Sequence, residues 1–326
     1  MKYRKFADTG FNAGEVGLGC WQFGGDFGPM DENTAFQIMS TAVENGINFF
    51  DTADVYGNGK SETLIGSFLK NSKNKIFVAT KFGRSGGVYP DKYTKQALQQ
   101  AAEASLKRLN VEILDLIQLH CIPINILRDG SIFQWLEQLK QEGKIKNFGA
   151  SVETIEEAML CLEKSNVSSL QIIFNIFRQK PIQELLPEAK RKNVAIIVRL
   201  PLASGLLAGK FTKETKFADS DHRNYNRDGK YFNVGETFAG LPFEKGVELA
   251  GLIKPLIPKG MTMAQMAIRW VLDHDAISVV IPGASSSKQA QSNAEVSDLP
   301  PLSKELHKKL SEIYMNEVHK HIRGPY

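Results

Sequence analysis

The chain has 326 residues, 42% hydrophobic and 23% charged, with 27 Gly and 13 Pro, which excludes a collagen-like or disordered polypeptide. Forty Lys and Arg against 36 Asp and Glu give a net charge of +4 with no concentrated basic face, so nucleic-acid binding is excluded as a function class. No apolar run nears the ~18 residues of a membrane span, MKYRKFADTG lacks the apolar core of a signal peptide, and Cys20, Cys121 and Cys161 make no disulfide framework, so a cytoplasmic protein without a membrane partner is expected.

In chain order, the first β-rich run is Glu15–Gly19, followed by a helical stripe of Ala35, Ile38, Met39, Ala42 and Val43 closed by Gly46. Strand-like runs follow at Ile47–Phe50 and Ile76–Thr80, then a stripe of Leu98, Ala102, Ser105, Leu106 and Leu109. The next strand is Ile113–Leu119, and Ile132, Trp135, Leu136 and Leu139 mark a helix ended by Gly143. Asn147–Ala150 precedes a stripe of Ile155, Ala158, Met159 and Leu162. Leu170–Phe174 and Val194–Val198 are the sixth and seventh strands, and Thr262 can cap a helix carrying Met266, Ala267, Trp270 and Val271. Ile277–Ile281 is the eighth. Eight short apolar strands with intervening helices predict a (β/α)8 TIM barrel of the α/β class, with a doubly wound sheet as the runner-up.

Gly17-Leu-Gly19 opens a dinucleotide-type G-x-G-x-x-G, but Gln22 stands at the third glycine position, so a Rossmann site is not supported. Lys210 to Leu241 is charged and aromatic without periodicity, which marks a functional loop, and a lid is expected there. The basic end of the chain, His319 to Arg323, is expected to be solvated.

Four polar residues fall at or just past successive strand ends: Asp51, Tyr56, Lys81 and His120. Barrel strands gather their C-termini on one face, so these groups can converge although thirty or more residues separate the strands. A tyrosine hydroxyl titrates near ~10, and a nearby ammonium lowers that value. Asp51 would hold the Lys81 ammonium, and a neutral His120 could donate to a carbonyl oxygen. Such a site delivers protons beside a carbonyl and needs a reductant. Lys81 as a Schiff-base nucleophile is the competing chemistry.

Gly46 to Gly57 (GINFFDTADVYG), followed by Ser61-Glu62 and Gly66, resembles the aldo-keto reductase signature. So do Ala79–Lys81, Leu116–His120, Glu142–Lys146, Pro201–Lys210 and Ile281–Ser285, in that order along the chain. The resemblance implies a nicotinamide-dependent oxidoreductase on one barrel spanning 1–326, with an N-terminal β-hairpin, a long loop after strand seven and a C-terminal extra helix. It places the catalytic tetrad on Asp51, Tyr56, Lys81 and His120, with Tyr56 as general acid/base. It places the carboxamide ligands on Ser151 and Gln171 and expects a ring-stacking aromatic near strand seven. Pro201, Leu202, Ser204, Gly205, Leu206 and Gly209 would run along the pyrophosphate. From the length of the loop that follows and its mixture of arginines and aromatics, the lid is expected to fold over that pyrophosphate, with Arg223 or Arg227 on phosphate and Tyr225 stacking. Gly283, Ser285, Ser287, Gln289 and Asn293 would hold the adenosine ribose.

Two departures stand out. Val152 takes the place of the usual Asn after Ser151, and Ser285 to Lys288 offer no arginine for a 2′-phosphate, so NADP(H) is favoured by family habit with NAD(H) as the alternative. Arg199 also departs from the commoner aromatic, for no reason visible in the sequence. Trp21, Phe23 and Cys121 are candidate substrate contacts, the substrate being a small aldehyde, ketone or sugar. The alternative function is a cofactor-binding regulatory subunit resembling potassium-channel β-subunits.

Overall fold

Period-two alternation of apolar residues organises the centre of the molecule. The structure, a computed structural model, describes residues 1–326. A short antiparallel hairpin, β1 (Tyr3–Lys5) and β2 (Asn12–Gly14), precedes eight parallel strands. These are β3 (Leu18–Gly19), β4 (Phe49–Asp51), β5 (Phe77–Phe82), β6 (Leu114–His120), β7 (Ile145–Ser151), β8 (Ser169–Ile173), β9 (Ala195–Arg199) and β10 (Ile277–Val280). Each pairs with its sequence neighbour, and parallel bridges Val16–Val280 and Gly19–Gly283 close the sheet into a barrel. The doubly wound alternative is thereby excluded, since strand order is sequential throughout.

Alternation divides the core in two. Phe49, Phe77, Ala79, Leu116, Ala195, Ile197, Val279 and Ile281 point into the barrel, where Phe6, Phe11 and Ala13 of the hairpin plug its lower end. Their neighbours Phe50, Val78, Ile117, Ile196, Val198 and Val280 face outward into a cluster of 74 buried residues beneath the helices. The outer ring includes the expected helices as Glu32–Glu44, Lys95–Leu109, Ser131–Gln141, Ile155–Lys164 and Met263–Leu272. Thr154 and Thr262 each close a reciprocal capping box, with Glu157 and Gln265. Helices Lys60–Asn71, Leu185–Arg191, Phe243–Ile253 and Ser287–Glu295 complete the ring and were not among the expected elements.

Residues 210–241 form short helical turns, at His222–Tyr225, Val234–Glu236 and Phe238–Gly240, laid over the barrel mouth. A final helix begins at Lys304–Ile313. The end of the chain is only partly solvated: His319 and Lys320 are exposed as expected, whereas Arg323 is docked, which corrects the expectation there. Arg323 donates to the carbonyls of Gly240, Arg227 and Leu241, and its Nη1 lies 2.6 Å from Asp228. Tyr326 lies under the Arg178 guanidinium at 4.5 Å. A basic tail finds its partners in the orphaned carbonyls of the overlying segment, a nonlocal match that no tail sequence announces. No helix is long and apolar enough to cross a membrane.

Candidate active site

The same parity that fills the barrel with Phe49, Ala79 and Leu116 sends the next inward positions to its C-terminal mouth. These are Asp51 on β4, Lys81 on β5, Gln118 and His120 on β6, Ser151 on β7, Gln171 on β8 and Arg199 on β9. Register sets them side by side: Lys81 faces Gln118, His120 faces Ser151, and Ser151 faces Gln171. All are buried except Arg199, which retains slight exposure.

Lys81 is the centre of the cluster. Its Nζ donates to Asp51 Oδ1 at 2.6 Å, to the Thr52 carbonyl at 2.7 Å and to Tyr56 Oη at 3.3 Å. Asp51 Oδ2 also accepts from Gln171 Nε2 at 2.6 Å and Gln118 Nε2 at 3.2 Å. A buried carboxylate so surrounded offsets the desolvation of the ammonium. The His120 ring meets the Tyr56 ring edge-on, with centroids 5.9 Å apart. All four members of the tetrad are thus together.

The electrostatics differ from the sequence expectation. The ammonium was expected to lower the Tyr56 hydroxyl. Instead burial, and then the Asp51 carboxylate, push the phenol well above its ordinary value. The Lys81 charge is already neutralised by Asp51 at 2.6 Å, so its field at the phenol is weak. Burial, with the positive charges of Arg84, Lys81 and Arg199, holds His120 well below the ordinary imidazole value. At neutral pH the site therefore presents a protonated phenol beside a neutral imidazole.

Trp21 stacks over Tyr56 at 5.8 Å and meets Phe232 at 6.0 Å. Cys121 lies beside it, 3.6 Å from Ser151 Oγ and 3.9 Å from Glu236. Phe23 does not line the pocket. It is fully buried in the outer core, because the turn after β3 points its ring between the barrel and the helices. A surface cleft of about 470 Å³ opens near Phe77 and Leu114 at the strands' N-terminal ends and contains none of the tetrad.

Residues 200–209 bend sharply. Leu200, Ala203, Ser204 and Gly205 have φ of 55°, 48°, 55° and 101°, a run of left-handed residues, and the N–H groups of Ala203, Gly205, Leu207 and Gly209 are bonded to carbonyls of the same bend. Pro201 and Leu202 lie in this bend, and Gly209 closes it at φ 71°, where a Cβ would strike Met263. The Leu206 side chain belongs to the core, which leaves only its backbone for a ligand. The Ser204 hydroxyl is engaged by the overlying segment, donating to the Glu236 carbonyl and accepting from Phe238 N. Gly283 lies against the Gln22 side chain. Ser286 caps the helix that begins at Ser287, while Ser285 and Gln289 bond each other and Asn293 donates to the Gly283 carbonyl.

The overlying segment is clamped at two places. His222 sits between Trp21 and Phe27, at 4.6 and 4.4 Å, and Tyr225 Oη donates to Asp26 at 2.8 Å. Farther along, Asn233 donates to Glu153, and Glu236 pairs with Arg84 at 2.9 Å and Arg199 at 3.6 Å. Arg223 is bound to Asp221, and Arg227 packs over the Phe243 ring at 5.0 Å. Tyr225 is spent on Asp26 and the rings of Tyr231 and Phe232. The sequence reading missed Gln118, Arg84 and Glu236. Gln118 was discoverable by parity between Leu116 and His120, whereas the other two are brought in by loops. Cys121, Glu153 and Glu236 approach one another closely enough to suggest a metal site. Arg84 and Arg199 already neutralise the two carboxylates, and a cation there would meet like charge.

An eight-stranded parallel barrel with a Lys–Asp–Tyr–His cluster at its C-terminal mouth is the architecture of a barrel enzyme. Residues 15–315 match the model of the aldo/keto reductase family. An uncharacterized oxidoreductase, YqkF of Bacillus subtilis, is 30% identical over 325 residues, covering 98% of this chain and 99% of that protein. The holo form of aldo-keto reductase AKR11C1 from Bacillus halodurans superposes with a TM-score of 0.78 at 27% identity, covering 96% of each chain. A probable voltage-gated potassium channel subunit beta from Arabidopsis thaliana is 26% identical, over 93% of each. The chain belongs to the aldo/keto reductase family. It is accordingly an oxidoreductase working between a nicotinamide cofactor and a carbonyl or alcohol group.

Proposed function

We propose that this chain, acting as one domain over residues 1–326, reduces the carbonyl of a small aldehyde, ketone or sugar using NADP(H), with Tyr56 as the proton donor. The observation that carries the reading is the Lys81 ammonium held between Asp51 at 2.6 Å and Tyr56 Oη at 3.3 Å. The bound nicotinamide supplies or takes up the hydride at its C4 position. The protein's own residues do the rest. His120, kept neutral, can donate to the substrate oxygen and orient it toward Tyr56. Tyr56 gives its proton to that oxygen as negative charge develops, and the phenolate left behind accepts the direct hydrogen bond from Lys81 Nζ, 3.3 Å away, whatever the weakness of the paired ammonium's wider field. A phenol pushed up by burial is fully protonated at neutral pH, so reduction starts from the resting state. Oxidation must first remove that proton.

The residues present suit a nicotinamide dinucleotide. Ser151 and Gln171, bonded to each other, would meet the carboxamide, the small residues of the bend at 200–209 would let a phosphate approach the backbone, and the helix beginning at Ser287 would meet the ribose. NADP(H) is chosen over NAD(H) because Lys288 and the hydroxyls of Ser285 and Ser287 can meet a 2′-phosphate. Arg227 would reach the pyrophosphate only by leaving Phe243. Trp21 and Cys121 would contact the substrate.

Tyr56→Phe tests the assignment. It should lower kcat at least a thousandfold, the scale of a lost general acid together with a perturbed carbonyl site. Cofactor affinity should stay within about twofold. Near-normal kcat in this variant overturns the role of Tyr56. The regulatory reading, which the channel-subunit relative supports, requires tight cofactor binding with negligible turnover of any carbonyl, so the same panel separates the two.

A further inference from the structure

Hydrogen-bond accounting at the proposed carboxamide position leaves it short of donors. A nicotinamide carboxamide needs an acceptor for its NH2 and a donor for its carbonyl oxygen. Ser151 Oγ–H is spent on Gln171 Oε1 at 3.4 Å, and Gln171 Nε2 donates to Asp51 at 2.6 Å. Both side chains retain acceptor capacity, and of their donors only the second Nε2–H of Gln171 is uncommitted. Val152, the next residue, is apolar.

Arg199 stands against this same strand end. It is the inward position at the top of β9, and its Nη2 donates to the Val152 carbonyl at 3.0 Å and approaches Cys121 Sγ at 3.5 Å. Its Nη1 is held loosely by Glu236 at 3.6 Å. Its Nε–H is buried and has no partner. An unpaired guanidinium N–H in such a place costs roughly 1–3 kcal/mol, and a ligand oxygen would satisfy it. No aromatic ring occupies this strand end, so the expected stacking residue is replaced by a planar cation.

We infer that Arg199 donates a hydrogen bond to the carboxamide oxygen of the nicotinamide, supplying the donor that Val152 cannot. The inference rests on the cofactor reading given above. Anchoring by Val152 O fixes the guanidinium beside Ser151, and a charged donor makes the stronger bond. Glu236 keeps the added positive charge from repelling an oxidised, cationic ring.

The test is equilibrium binding, followed by tryptophan quenching. Arg199→Met and wild type are titrated with NADPH and NADH, and with the same molecules lacking nicotinamide, 2′-phospho-ADP-ribose and ADP-ribose. Arg199→Met should weaken the complete cofactor about tenfold to a hundredfold and leave the truncated ligand within twofold. Val152→Asn in the Arg199→Met background should recover most of that loss, since it places an amide donor at the same strand end. Equal weakening of complete and truncated ligands overturns the inference, because Arg199 would then serve the phosphates or the fold. So does unchanged NADPH affinity with a raised KM only for carbonyl substrates bearing a carboxylate, which would make Arg199 a substrate-anion site. If Arg199→Met unfolds, Arg199→Lys keeps the charge without the Nε–H and should show the same selective loss; its absence overturns the inference equally. Wild type that binds neither ligand refutes the cofactor reading itself, a different outcome from any of these.

Discussion

Asp51→Asn removes the negative charge that makes a buried ammonium tolerable. Lys81 is fully buried and donates to Asp51, the Thr52 carbonyl and Tyr56, of which only Asp51 carries charge. An asparagine amide must turn its NH2 toward either Lys81 or the pair Gln118 and Gln171, so at least one existing donor meets another donor. Deleting one partner of a buried ion pair costs about 3–5 kcal/mol. At an unfolding entropy of ~2.1 cal/mol/K per residue, a chain of 326 residues loses about 4–7 °C in Tm. Differential scanning calorimetry measures the shift, at equal protein concentration and without cofactor. Replacing the pair together, Asp51→Asn with Lys81→Met, should cost less than the sum of the single changes, because no isolated charge remains. An Asp51→Asn variant melting within 1 °C of wild type, or an additive double variant, would refute the claim that this ion pair carries the site's electrostatics.

Two further outcomes follow from the overlying segment. His222 is buried among Trp21, Phe27 and Phe232, faces Asp26, Asp221, Arg223 and Glu236, and is held down to about 4 by its burial. An opened loop protonates this imidazole near ~6.5 while the closed one does not, so closure is fully stable above that pH. It weakens as pH falls toward 4, by up to about 3 kcal/mol. Hydrogen exchange of residues 210–241, corrected for intrinsic rates, should accelerate between pH 7 and 5 in wild type and not in His222→Phe; equal acceleration in both refutes it. Arg84→Met, which strips Glu153 and Glu236 of their shared cation, should speed proteolysis of the same segment severalfold, and saturating NADP(H) should slow it in wild type. Cleavage unaffected by cofactor would rule out a lid over the bound dinucleotide.

The cluster of Asp51, Lys81 and His120 was legible because it is built from local rules. Apolar runs located their strands to within a residue or two, and the polar residue at each strand's end proved to be an inward position at the C-terminal mouth. Phe23 was misplaced because a turn residue carries no periodicity to say which way its ring points. The direction of the Tyr56 shift was misjudged for a related reason: residue types name the charges present, while burial and pairing set the field they produce.

By itself, the sequence determined eight strands, their order of chemistry and the four groups of the tetrad, since strand parity and strand-end position depend only on neighbours along the chain. Tertiary structure alone decided the rest. It closed β3 against β10, drew Glu236 onto Arg84 and Arg199, docked Arg323 onto the overlying segment, and left the buried Arg199 Nε–H without a partner. Those contacts join residues that are tens to hundreds of positions apart. Their energies come from burial and charge pairing in the folded chain, which no local pattern encodes.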